Sequence, residues 1–492
     1  MSQSVIILCA IFVPILWGLV LLVVPEFKKR NMLIGTTAAG LAVAAVLAIL
    51  AVTGKAADIL LFTLGENMDI FFRIDNVSRL FAAVVTLVWI LVGFYAFEYM
   101  KHEKEEKRYF SFYIMVFGVL MALTFAGSVV TYYLFYEMMT LLSVPLVLHT
   151  KTREAIMGGL KYLFYSLFGA YMALFGIYFL NKYATTLQFQ AGGVLDVNMI
   201  AGKENLMLVV AFLMILGFGV KAGMFPLHAW LPTAHPVAPA PASAVMSGII
   251  VKMGVLGMVR IVFYVFGADF LRGTWVQKVW MILALITVFM GSMLAFREKV
   301  FKKRLAYSTV SQVSYIVFGL SLLHPQAVTG SLLHVVFHAV IKSTLFMSAG
   351  AVIYKTGKTS VSDLKGIGKK MPITIWCYTF ASLALVGIPP ASGFISKWYL
   401  ALGALETGIP VFSWLGPVVL LVSALLTAGY LLPLTVQGFL PGDDFDYSKL
   451  KKCEPVKMML VPLLVLAALA ILLGVFPGTL TNFVSDIVSG VM

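Results

Sequence analysis

Carboxylates are scarce in this chain. Only 22 of its 492 residues are Asp or Glu, against 36 Lys and Arg, and charged residues together make up 12%. A soluble globular chain carries about a quarter. Cysteines number three, Cys9, Cys377 and Cys453, with no CxxC or CxxxC spacing. That argues against an iron–sulfur or structural zinc site, and no cofactor motif appears, so no cofactor is expected in this chain. No aromatic-basic nucleic-acid motif occurs either. The net charge of +14 therefore reads as short loops facing an anionic leaflet, not as a nucleic-acid surface. The acidic run Asp443-Asp444-Phe445-Asp446 lies beside lysines and reads as a solvated loop, not a metal site.

Hydrophobic residues supply 61% of the chain, and they come in long runs. Crossing ~30 Å of hydrocarbon takes about 20 helical residues. Such runs fall at 4–24, 31–53, 76–99, 109–127, 129–149, 158–182, 205–231, 239–265, 275–296, 305–322, 329–356, 372–402, 412–438 and 457–476. They predict an all-α integral membrane protein of about fourteen transmembrane helices, in one membrane domain. The first run has no positive residue before it and Lys28-Lys29-Arg30 after it, which predicts a retained helix, not a cleaved leader. Odd-numbered loops hold 24 Lys and Arg and even-numbered loops 6. That bias predicts odd loops in the cytoplasm and both termini outside, in a prokaryotic cell (inner) membrane.

Six basic residues fall within spans: Arg79, Lys221, Lys252, Arg260, Lys342 and Lys397. Arg79 and Arg260 lie near helix ends and are expected to snorkel as anchors. The lysines are deeper, where a charge costs at least ~2.5–3.5 kcal/mol. One acid, Glu137, sits clearly inside a span. His334, His338 and Lys342 are spaced by four residues and share a helix face. Burial draws lysine and glutamate toward neutrality, and histidine titrates near physiological pH. A row of such groups, bridged by water, is a proton relay. His228 and His235 are candidate vestibule residues, with capping a broken helix and a relay role both open. His102, His149 and His324 read as loop or helix-end residues.

Two spans are interrupted. One reads Gly217-Phe218-Gly219-Val220-Lys221-Ala222-Gly223-Met224-Phe225-Pro226, and the other Gly387-Ile388-Pro389-Pro390-Ala391-Ser392-Gly393-Phe394-Ile395-Ser396-Lys397. Lipid cannot satisfy freed backbone groups, so such breaks line water or bind ions. Paired breaks in two halves point to an inverted-repeat transporter. The symmetry is imperfect, since Lys221 precedes its proline and Lys397 follows its pair. The prolines between His228 and Ala244 are expected to impose a non-helical crossing.

At these residues the chain resembles the antiporter-like subunits shared by respiratory complex I, membrane-bound hydrogenases and Mrp cation/proton antiporters. The stretch "KAGMFPLHAWLPTAHPVAPAPASAVMSGIIVK" at 221–252 is the most specific. "FRIDNVSRLF" at 72–81, "LFYEMMTLLSVPLV" at 134–147, "RLAYSTVSQ" at 304–312, "HVVFHAVIKSTLFMSAG" at 334–350 and "GIPPASGFISKWYL" at 387–400 support it. The resemblance implies two inverted five-helix repeats with broken helices seven and twelve. The resulting divisions are 1–108, 109–265 (helices 4–8), 266–438 (helices 9–13) and 439–492. It implies that Glu137 pairs with Lys221, that Lys252, His338 with His334, Lys342 and Lys397 carry the relay onward, and that Asp75 contacts a neighbouring subunit. "SGFISKWYL" is most similar to Mrp D-type subunits and their hydrogenase counterparts.

The expected function is that of a proton-translocating subunit in a multisubunit antiporter or redox-driven pump. The alternatives are a subunit of a complex I-type NADH or ferredoxin:quinone oxidoreductase, or a self-sufficient antiporter. A polytopic enzyme would show clustered catalytic acids, and none appear. The partners expected are other membrane subunits, a peripheral iron–sulfur redox module in the redox case, and lipid. The conducted ion is taken to be the proton, and sodium stays open because carboxylates are too few to read a sodium site.

Overall fold

A computed structural model describes residues 2–442, 446 and 451–492. Asp443, Asp444 and Phe445 of the acidic run lie outside these residues. The main helices are α1 (Gln3–Val23), α2 (Arg30–Thr53), α3 (Asn76–Tyr99), α4 (Glu106–Phe125), α5 (Val129–Val147), α6 (Arg153–Tyr183), α7 (Glu204–Ala222) and α8 (Ala240–Phe266). After these come α9 (Trp275–Arg297), α10 (Phe301–Ser321), α11 (Pro325–Thr356), α12 (Pro372–Val386), α13 (Ser392–Glu406), α14 (Phe412–Phe439), α15 (Lys457–Val475) and α16 (Gly478–Ser489). Among the described residues twelve helices are long and apolar enough to cross a membrane, and α12 is a shorter apolar one. The chain is a multi-pass, all-α membrane protein.

Burial ranks the helices. In the most apolar window of each, all residues of α8 and 94% of α11 are buried, against 33% in α1, α14 and α15. α8 and α11 are therefore the centre of the bundle, and α1, α14 and α15 turn apolar faces outward to lipid. Around the centre α6 packs on α7, α7 on α8, α10 on α11 and α11 on α13. α10 falls outside the apolar set because its buried face carries Ser308, Thr309, Ser311, Gln312 and Ser314.

Both interruptions begin at a glycine in the left-handed region. Gly223 (φ +76°) ends α7 and Gly387 (φ +92°) ends α12, a conformation that costs glycine little. The run expected to continue to residue 231 thus stops at Ala222. The proline-rich stretch after it is not a non-helical crossing. A short helix, Leu231–Val237, accommodates Pro232 in its first turn, where a missing N–H costs nothing. π-helical turns at Met246–Ile250 and Val262–Phe266 punctuate α8.

Two elements gave no clear sequence signal. An antiparallel hairpin, β1 (Asp58–Thr63) with β2 (Asp69–Arg73), fills the connection before α3. α16 is amphipathic and buries Val484, Ile487 and Val488, packing on α11.

The α6–α7 crossing fixes the geometry of the site. A Cβ on Gly217 would fall 2.4 Å from the Gly169 carbonyl oxygen, and one on Gly169 would fall 2.4 Å from that of Gly217. Gly217→Val should therefore force the two backbones apart and cost about 1–3 kcal/mol. A substitution in open space, Gly35→Ala, should be neutral within about 0.5 kcal/mol. Unfolding temperatures of the detergent-solubilised variants check this, and equal values for the two would refute the close-packing argument.

Candidate functional site

The close α6–α7 contact brings Lys221, in the last turn of α7, against hydroxyls of α5 and α6. Its fully buried ammonium donates to Thr140 Oγ1 at 2.9 Å, Tyr162 OH at 3.1 Å and Ser166 Oγ at 2.8 Å. Three donors meet three oxygens, so the group is satisfied without a carboxylate. Tyr162 OH lies 2.7 Å from Ser143 Oγ, which extends the hydroxyl row. Glu137 is not among the partners of Lys221. It is half-buried on the outer face of α5, between the exposed Leu134 and Leu141. The pairing implied for Glu137 and Lys221 is therefore not a contact in this structure. The acid sits on the bundle surface and the lysine inside it.

Lys252 follows the first π-helical turn of α8. Its Nζ donates to the Ser247 carbonyl at 2.6 Å and lies 2.6 Å from His338 Nδ1. With the ammonium donating, Nδ1 accepts and the ring proton sits on Nε2. His334 is one turn away on α11, with ring centroids 5.7 Å apart. Its Nδ1 lies 2.8 Å from Ser396 Oγ, and its ring stacks on Tyr315 at 5.8 Å. Lys397, next to Ser396, lies 5.0 Å from the centroid of the same tyrosine ring. Its Nζ donates to the Leu385 and Val386 carbonyls at 2.6 and 3.0 Å. Those are end carbonyls of α12, left without helical partners by the break.

The structure thus brings Lys252, His338, His334 and Lys397 into one row. Lys221 approaches it through backbone: a Cβ on Gly254 of α8 would fall 3.0 Å from Lys221 Cβ. Lys342 joins from the side. It donates to the Leu305 carbonyl at 2.8 Å, which also accepts from Thr309 Oγ1, and Thr309 Oγ1 lies 2.7 Å from Ser247 Oγ. Of the two candidate vestibule histidines, His235 is fully buried against the Phe346 ring at 4.8 Å. His228 is half-buried beside Phe225 at 6.1 Å.

Asp75 and Arg260 form an ion pair across the bundle. Asp75 caps α3 through Ser78 N at 2.8 Å and receives both arms of Arg260, at 2.5 and 2.9 Å. Its carboxylate is thereby paired within this chain, and its side chain keeps 26% of its surface exposed. Arg260 does not snorkel: its side chain is 3% exposed and lies over the Phe189 and Tyr264 rings at 5.2 and 4.7 Å. Arg79 does anchor a helix end, donating to Asn76 Oδ1 and the Gly54 carbonyl. Sequence reasoning missed Thr140, Tyr162, Ser166, Ser247, Tyr315 and Ser396. The signal that could have found the α6 partners was its buried small-and-polar face, which includes Gly158, Tyr162, Ser166, Gly169 and Ala173, spaced by three or four residues. Among the described residues no group of three or more His, Cys, Asp or Glu converges as a metal site.

The arrangement is buried basic groups bonded to neutral oxygens and to each other. Residues 126–429 match the family described as "NADH:quinone oxidoreductase/Mrp antiporter, TM", and residues 61–110 match "NADH-Ubiquinone oxidoreductase (complex I), chain 5 N-terminus". The N-type subunit of the NADH-quinone oxidoreductase of Desulforudis audaxviator is 33% identical over 76% of this chain and 75% of its own. The D-type subunit of the Na(+)/H(+) antiporter of Alkalihalophilus pseudofirmus is 28% identical over 83% and 81%. A chain of the membrane-bound sulfane sulfur reductase, an archaeal respiratory membrane complex, superposes with TM-score 0.85 at 26% identity, covering 100% of this chain and 98% of that one.

Asp75→Asn keeps the cap but strands a buried guanidinium. It should cost about 3 kcal/mol, whereas Arg272→Ala, in an exposed pair with Asp269, should cost under about 1 kcal/mol. Thermal unfolding in detergent measures both, and a silent Asp75→Asn would reduce that pair to a surface bridge.

Proposed function

Because the chain belongs to the NADH:quinone oxidoreductase/Mrp antiporter family, it is an antiporter-like, proton-translocating membrane subunit, and we propose that its protons travel along Lys221, Lys252, His338, His334 and Lys397. One observation carries this reading. Lys252 Nζ lies 2.6 Å from His338 Nδ1, deep in the bundle, where among the described residues no acid bonds to either group. A lysine bonded to an imidazole shares a proton with it, and which of the two is charged responds to any neighbour that gains or loses a proton.

Lys397 marks one end of the row and Lys221 the other, each at a helix break where water can reach freed backbone groups. Glu137 tunes Lys221 from the surface of α5. A half-exposed carboxylate between Leu134 and Leu141 is costly against lipid, so a partner membrane subunit covers it. The chain works beside other membrane subunits, as its relatives do. A peripheral redox module, if the complex is redox-driven, would carry the electrons. Odd-numbered loops face the cytoplasm, and the membrane is the prokaryotic cell membrane.

In vesicles carrying the assembled complex, Lys221→Ala and Lys252→Ala should each cut transport by about a hundredfold with assembly unchanged. Glu137→Gln should slow it less. Parental transport in Lys252→Ala, measured with a pH-sensitive dye, would remove the row from the mechanism.

A further inference from the structure

Lys302 has no place in that row, yet it is buried. It opens α10 beside Lys303, which pairs with Glu298 at 2.9 Å, and Arg304, which donates to the Glu298 carbonyl at 2.8 Å and to the Tyr430 carbonyl of α14 at 2.9 Å. Lys302 points inward instead and donates to the Ala238 carbonyl at 2.6 Å. Ala238 caps the short helix that carries His235.

His235 is fully buried, and neither ring nitrogen has a partner among the described residues. Leaving such groups unmet costs about 1–3 kcal/mol, so the site asks for water or a travelling proton. The Lys342 ammonium lies 5.7 Å from the centroid of the Phe346 ring on which His235 stacks. The charges whose field reaches His235 are Lys342, Lys302 and Lys252. Lys302 thus bonds the cap of the helix that carries His235, and Lys342 shares the Phe346 ring with it.

Toward solvent, the acid whose charge acts on Lys302 is Glu103, half-buried in the α3–α4 connection. It lines two adjoining cavities, of about 360 and 300 Å³, with His102, Lys104, Glu105, His149 and Lys151 in one and Arg30, Glu105, Glu106 and Lys107 in the other. Four of the chain's 22 acids, Glu98, Glu103, Glu105 and Glu106, fall in this short stretch. Three are engaged: Glu105 by Lys151 and Arg108 at 2.6 Å each, Glu106 by Arg30 at 3.1 Å, and Glu98 by Lys101 at 3.9 Å. Glu103 forms no ion pair among the described residues. Burial holds its carboxyl above the ordinary range, against the opposing pull of Lys302 and His102.

We propose that Glu103, Lys302 and His235 form a side inlet that delivers protons from the solvent at the odd-numbered loops to Lys342 and Lys252. The inlet rests on the relay reading of the row. One proton moves per hop: from the Glu103 carboxyl to a neutral Lys302 amine, from that ammonium to a His235 ring nitrogen, and from the imidazolium to a neutral Lys342 or Lys252. Each donor is reset by the next proton from water.

Transport by the assembled complex in vesicles, read against pH on the odd-loop side, tests the inlet. Lys302→Arg keeps the charge and a donor for Ala238 but gives up no proton at working pH. It should slow transport about tenfold or more, whereas a lysine serving only as a bracket would be replaced without loss. Glu103→Gln, in a loop, should slow uptake and shift the pH of half-maximal rate, and it decides the matter should Lys302→Arg fail to assemble. A Lys302→Arg rate within about twofold of the parent, or an unchanged pH profile in Glu103→Gln, overturns the inlet. Lys252→Ala separates the two ideas. If it stops transport while Lys302→Arg runs at the parental rate, the row stands without the inlet; if it too leaves transport intact, the row itself is wrong.

Discussion

Every ammonium buried in this bundle must find an acceptor inside it, because neither lipid nor bulk water is there to supply one. How the chain meets that requirement sets the character of the site. Lys221 is given three hydroxyls, Lys252 a carbonyl and an imidazole, Lys342 a carbonyl, and Lys397 the end carbonyls of a broken helix. None is given a carboxylate. Arg260 shows the contrast, since its guanidinium is clamped on both oxygens of Asp75. Charge-assisted bonds to a carboxylate are roughly twice as strong as bonds between neutral groups. The arginine is thereby locked, and the lysines are supported without being pinned to their protons.

The two helix breaks serve this requirement differently. α7 ends so that Lys221 lies in its last turn, with its ammonium turned to α5 and α6. α12 ends so that its own carbonyls become the acceptors for Lys397, which follows Val386 by 11 residues. That second arrangement needs α13 to return very close to α12: a Cβ on Gly393 would fall 1.9 Å from the Ala384 carbonyl oxygen. The asymmetry already visible in the order of lysine and proline is thus an asymmetry of chemistry. One lysine depends on neighbouring helices and the other on the break itself.

Much of the site was legible because isolated charges stand out in apolar runs. Lys221, Lys252, Lys342, Lys397, His334 and His338 needed no more than their surroundings and the four-residue spacing on α11. Their partners were hidden for a physical reason. Thr140, Ser166 and Ser247 are small residues that a sequence offers equally to packing, to capping and to hydrogen bonding. Asp75 and Arg260 are 185 residues apart, and no periodicity links them. The hairpin before α3 was read as loop because a short run such as Asp58–Thr63 carries too little pattern next to twenty-residue helices. The short helix at Leu231–Val237 was masked by its prolines: Pro232 fits the first turn, and Pro236 falls in the last turn, one residue before the helix ends.

Lys302 shows where loop counting loses information. Within Lys302-Lys303-Arg304 all three residues add equally to the positive bias from which an orientation is predicted, yet only Lys302 is buried. A positive-inside count weighs charge near a membrane end and is blind to which way a side chain turns. The turn inward is possible because the connection between α7 and α8 contains a short helix whose capping residue offers its carbonyl. That short element is what lets a charge from the loop end approach the centre of the bundle. The central helices α8 and α11 are almost wholly enclosed, so a row built on them is reached either along its own length from the breaks or through a gap of this kind between elements. In the proposed inlet the second route runs over Lys302 and His235, titratable groups that the row leaves unused.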